Sequence, residues 1–205
     1  MNKNLINVLY ADTSIINLKK IKEYQSLVGK FFSIKKLNSY VDEESKRQYL
    51  LSCYLLYLMC QKNDINSNEL IRQNRKKPYI KKNKLFFSIS HKKNIVAIAY
   101  SKINVAIDIE VKNPKINWKE ISKNHFSKEE NRMLNYSRNK INKFYEMWCM
   151  HECSIKLQSN SSVVSFDYWW KSKWILCIAI EHSRNNSVAE HSNNKFIFEK
   201  VKLIK

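Results

Sequence analysis

The sequence predicts an α+β fold in two halves of similar size, on three observations. Two long stretches, VDEESKRQYLLSCYLLYLMCQ (41–61) and KFYEMWCMHECSIKLQ (143–158), carry apolar residues at helical spacing. Short apolar runs with strand periodicity surround each of them. The strand-and-helix pattern begins again near residue 102, so an N-terminal lobe over 1–102 and a C-terminal lobe over 103–205 are expected.

The elements follow in order. LINVLYA (5–11) reads as a first strand, and Ile15 to about Val28 is compatible with a helix. The helix at 41–61 opens with acidic residues, which suit the positive end of a helix, and then places Leu50, Leu51, Tyr54, Leu55 and Leu58 along one side. RKKPYI (75–80) is a basic segment biased toward extended backbone by Pro78. KLFFSIS (84–90) and NIVAIAYS (94–101) read as strands joined by a short turn at HKK. VAIDIEV (105–111) follows as another strand. FSKEENRML (126–134) opens with a capping-box signature, Ser127 with Glu130 three residues later. The tail alternates strand-like runs, SFDYWW, KWILCIAIEH and KFIFEKVKLI, with a polar break at 183–195.

With 205 residues, 44% of them apolar, the chain can bury a substantial core and is expected to fold. No apolar run is long enough to cross a membrane, and the first residues lack the pattern of a signal peptide. Five cysteines with no C-x-x-C pair suit a reduced interior. A cytoplasmic protein is expected. Lys and Arg total 37 against 18 acidic residues, for a formal net charge of +19. Such a surface attracts phosphates, nucleic acid, anionic membrane or an acidic protein. The single Gly excludes a glycine-rich phosphate loop, so a phosphate site must be built from side chains.

Against this excess of cations, VAIDIEV places two carboxylates in an apolar strand. Alternation puts Ala106, Asp108 and Glu110 on one face and Val105, Ile107, Ile109 and Val111 on the other. A wet, half-exposed face is the simple account of an isolated D-x-E. On the second long helix, Trp148, Glu152 and Lys156 are spaced i, i+4, i+8, with Phe144 continuing the stripe. That stripe alone reads as an exposed ion pair beside a core aromatic. Together, Asp108, Glu110 and Glu152 would suit a hard divalent cation, magnesium above all. Ser90, His91, Arg47 and Lys77 are available to phosphate, although each alone is an ordinary surface group.

The order of motifs carries a resemblance. RKKPYI, FFSISH, VAIDIEV, FSKEE and FYEMWCMHECSIK, over roughly residues 40–158, resemble the 4′-phosphopantetheinyl transferases of the monomeric, two-lobed, surfactin-synthetase-activating type. The resemblance implies a pseudo-twofold pair of α+β lobes, each a small, mainly antiparallel sheet packed on a long helix, with the active site between them. It implies Mg²⁺ held by Asp108, Glu110 and Glu152, and coenzyme A as co-substrate. Glu152 would act as general base, with Lys156 on the pyrophosphate. Arg47, Lys77, Ser90, His91 and His151 would join Lys156 around the coenzyme A phosphates, with Lys35 or Lys36 adding to the cluster. The partner is an apo acyl or peptidyl carrier protein whose acidic helix meets the basic surface. Neither nucleic acid nor membrane is expected as a partner.

The chain departs from the family pattern at several points. His151 stands where a lysine is usual, Ala106 and Lys76 where glycines are usual, and the segment after Lys156 is short. A member of the family that binds coenzyme A or a carrier protein without turnover is therefore the alternative.

Overall fold

The computed structural model describes residues 4–71, 79–80, 85–158, 164–182 and 194–202 and is mixed α+β. Strand β1 (Leu5–Asp12) leads through short 3-10 turns to helices α1 (Ile21–Val28), α2 (Ile34–Asn38) and α3 (Glu43–Lys62). The two-residue strands β2 (Leu70–Ile71) and β3 (Tyr79–Ile80) precede the hairpin of β4 (Phe86–Lys92) and β5 (Ile95–Ser101). Then come β6 (Val105–Val111), α4 (Trp118–His125), α5 (Lys128–Tyr136) and α6 (Lys140–Leu157). The hairpin of β7 (Val164–Lys171) and β8 (Trp174–Glu181) and the strand β9 (Lys195–Lys200) complete the order.

Local chemistry sets the helix ends. Asp42 caps α3 by accepting from the Ser45 N–H, and Glu43 and Glu44 fill its first turn. Ser127 and Glu130 close the expected capping box on α5. Asn139 caps α6, which starts at Lys140 and so reaches further toward the N-terminus than the apolar stripe alone suggests. The helix expected from Ile15 begins only at Ile21, because Asp12 and Asn17 side chains cap two 3-10 turns ahead of it. Of the basic segment RKKPYI, only Tyr79 and Ile80 are described, as β3.

A four-stranded sheet has the order β4-β5-β1-β9, and a three-stranded sheet the order β6-β8-β7. Pairing is antiparallel except that β9, from the far end of the chain, lies parallel beside β1. Side-chain alternation then gives each sheet two apolar faces. Leu9, Ala11, Val96, Ile98 and Phe87 pack under α3, with its Leu51, Tyr54 and Leu55. Ile6, Val8, Ala97 and Ala99 face Ile107, Ile109, Ile178 and Ile180 of the second sheet. The remaining face of the second sheet, with Ala106, Ile175, Cys177 and Ala179, packs under Tyr145, Cys149 and Cys153 of α6. The layers run α3, sheet, sheet, α6. All five cysteines are buried thiols, none of them in a disulfide. Among the described residues no helix is long and apolar enough to cross a membrane.

Candidate functional site

β6 lies between the first sheet and α6, so each of its residues is buried, Asp108 and Glu110 included. A wet face does not account for them. Two ionised carboxylates in such a place require compensating partners, and the structure supplies a lysine for each. Lys156 Nζ lies 2.6 Å from Asp108 Oδ1 and also donates to Ser90 Oγ at 3.1 Å and to the Ile107 carbonyl at 3.2 Å. Lys92 Nζ lies 2.8 Å from Glu110 Oε2 and 3.0 Å from Oε1. Ser90 donates to Asp108 Oδ1 at 3.0 Å and accepts from the Ile109 N–H at 3.2 Å.

These contacts share one geometry. Ser90 meets Asp108 and Lys92 meets Glu110 across the same interval of 18 residues, so β4 and β6 run in the same direction past each other. The two strands belong to different sheets, and side chains join them where they abut. Period-two alternation on β4 thus matches period-two alternation on β6.

The electrostatics differ between the pairs. Burial pushes the Glu110 carboxyl up, although the Lys92 hydrogen bond and charge pull it down. Burial lowers Lys92, yet the Glu110 hydrogen bond and charge outweigh that and raise it overall. At the rim, His91 is pushed down by desolvation and then by the positive charges of Lys156 and Lys92. Burial pushes the Cys149 thiol well up, with the negative charges of Asp108 and Glu110 adding to it, so it is no nucleophile.

Asp108 Oδ2 is buried without a hydrogen-bond partner among the described residues. Glu152, half-buried on α6, has no ion pair or hydrogen bond among them. It lies one turn from Lys156, which holds Asp108, and one turn from Trp148, which lines a cleft with Glu110. The carboxylate is therefore on the stripe of α6 that faces β6. Among the described residues no three His, Cys, Asp or Glu side chains stand together as a metal-holding group.

Other expected site residues are distributed as follows. Arg47, on the first turns of α3, pairs with Glu43 at 3.1 Å, while its neighbour Gln48 donates to the Lys93 carbonyl at 2.6 Å. That bond ties the start of α3 to the β4–β5 turn. His151 points away from Lys156: its Nε2 is 2.6 Å from Glu130 Oε1, and its ring packs 5.0 Å from that of Phe126. Lys35 and Lys36 are exposed on α2, and Lys36 lies over the Tyr40 ring. Lys76 and Lys77 lie outside the described residues. Ala106 fits its methyl into the core beneath α6.

Lys92 falls in the stretch HKK expected as a turn, but it ends β4 and pairs with Glu110. Its signal was the repeat of the same two-residue step in S-x-K (90–92) and D-x-E (108–110). Glu130 as the partner of His151 had no such signal. No family model and no curated protein matches the chain.

Proposed function

We propose that the chain is a Mg²⁺-dependent 4′-phosphopantetheinyl transferase, as its motifs resemble, with the site in the groove between two pseudo-twofold α+β lobes. The observation that carries the reading is the environment of Asp108. Its Oδ2 is buried and unpartnered, Glu110 follows on the same strand face, and Glu152 is on the facing helix without a partner. Carboxylate oxygens are the donors magnesium takes, and it uses few protein ligands and leaves room for phosphate oxygens. Asp108, Glu110 and Glu152 would hold it. When bound, the cation neutralises charge on the phosphate oxygens of coenzyme A.

The chain's own residues supply the rest. Glu152 accepts the proton of the carrier serine as its Oγ bonds to the pantetheine-side phosphorus. The phosphorus–oxygen bond to the nucleotide breaks, and adenosine 3′,5′-bisphosphate leaves with the bond's electron pair. Lys156 Nζ, within reach of both Ser90 and Asp108, steadies that leaving oxygen. Ser90, His91, Arg47 and Lys77 hold the remaining phosphates, and His151 supports α6 through Glu130. The protein works as a cytoplasmic monomer on an acyl or peptidyl carrier protein, whose acidic helix the excess of lysines attracts.

The test is intact-mass analysis of apo carrier protein after incubation with coenzyme A, with and without Mg²⁺. The expected result is a gain of one phosphopantetheine only with metal, lost in Glu152→Gln while coenzyme A still binds. A second reading, binding of coenzyme A or carrier protein without turnover, is favoured by one observation: both strand carboxylates already have lysine partners. Coenzyme A binding with no mass gain on several carriers would select it.

A further inference from the structure

Beside Glu110 opens a cleft of about 520 Å³. Its back wall is aromatic: Phe144, Tyr145 and Trp148 of α6, with the Phe144 and Trp148 rings stacked 6.1 Å apart. Two hairpin tips, one from each sheet, form part of its rim. Lys93, in the β4–β5 turn, and Lys173, in the β7–β8 turn, each line it, as do Lys92 and Lys112.

Four lysines thus line the cleft with one carboxylate, Glu110, which is already paired to Lys92. Lys93, Lys112 and Lys173 form no ion pair among the described residues; Lys112 donates to Asn142 at 2.6 Å and lies over the Trp170 ring at 5.9 Å. Like charges around a concave, partly apolar surface repel one another unless an anion joins them, and the low-dielectric wall focuses their field into the cleft. A cleft with apolar walls and a few convergent polar groups is also the usual form of a small-molecule site.

We propose that this cleft binds an organic anion, a carboxylate or phosphate carried on a short apolar body. The acidic group lies among Lys93, Lys112 and Lys173, and the apolar body lies against Phe144 and Trp148. The inference does not depend on the transferase reading, because it uses only the lining of the cleft.

Titration calorimetry of the full chain with hexyl phosphate, hexanoate, inorganic phosphate and hexanol tests it. Hexyl phosphate or hexanoate should bind at least about tenfold more tightly than either inorganic phosphate or hexanol, since both halves of the ligand are recognised. Which of the two acids binds better identifies the anionic group. The double variant Lys93→Asn/Lys173→Gln should weaken that binding about tenfold, and raised salt should weaken it as well. Asn is chosen because Lys93 has φ of 47°, a conformation Asn tolerates. Lys19→Gln/Lys22→Gln, which removes equal charge from exposed positions near α1, should leave binding within about twofold. The proposal fails if neither acid outbinds inorganic phosphate in the unmodified protein, or if the two double variants weaken binding equally.

Discussion

Lys156 Nζ and Asp108 Oδ1 lie 2.6 Å apart, and the lysine that makes this contact also bridges to Ser90 on the other sheet. The Asp108 side chain is almost fully enclosed, and that ammonium is its ion-pair partner. Removing one partner of a buried pair costs more than the pair contributes, because the survivor stays charged without compensation. Lys156→Met should therefore destabilise the protein by about 3 kcal/mol in metal-free buffer. Thermal melts with and without Mg²⁺ check this. The variant should regain more of its melting temperature from added Mg²⁺ than the unmodified protein gains.

The Lys92–Glu110 pair gives a pH dependence. Glu110 has its carboxyl raised in the folded protein, first by burial. A raised carboxyl binds its proton more tightly folded than unfolded, so stability falls as pH rises from the unfolded value through the folded one. Lys92→Met removes the main group that holds the value down and should widen that window upward. The variant's urea midpoint should fall further below that of the unmodified protein at about pH 7 than at about pH 5. Equal gaps at both pH values would contradict the assignment.

Glu130 behaves in the opposite sense. Burial raises it, but the His151 hydrogen bond and the Ser127 backbone N–H outweigh burial and leave it lowered. Its contribution to stability is present above the unfolded value and is lost as pH falls through the folded one. Glu130→Ala removes half the capping box and the partner of His151 together, and should cost about 1–2 kcal/mol by urea denaturation at neutral pH. His151→Lys places a cation beside Glu130, and the proposed carrier modification by that variant should equal or exceed that of the unmodified chain.

Backbone strain gives a further test. Gln158 ends α6 with φ 50° and ψ 36°, left-handed backbone that costs a side chain about 1 kcal/mol. Gln158→Gly should raise the melting temperature by about 2–4 °C, partly offset by the entropy of glycine in the unfolded chain.

Much of the fold was legible because its elements are strongly periodic. VAIDIEV forms β6 over the residues its alternation marks, and Ser127 and Glu130 form the box that their spacing predicts. The burial of Asp108 and Glu110 was not legible, since it requires a second sheet on one face and α6 on the other, and alternation describes only one strand. His151 shows a second limit. It shares a helix with Glu152 and Lys156, yet a rotation of 100° per residue turns it toward α5 instead of β6. The delayed start of α1 came from Asx-type caps at Asp12 and Asn17, which compete with helix over a few residues and leave no mark on apolar periodicity.

The parallel placement of β9 beside β1 has a consequence for how the molecule is made. During synthesis the first strand emerges long before its neighbour on one side, residues 195–200, which follow every other described strand. Until then β1 keeps an open edge, and the cluster around Ile6 and Val8 lacks Phe196, which packs against it. The N-terminal half can therefore collapse around α3 while the nascent chain grows, but its sheet closes only when residues 195–200 have left the ribosome.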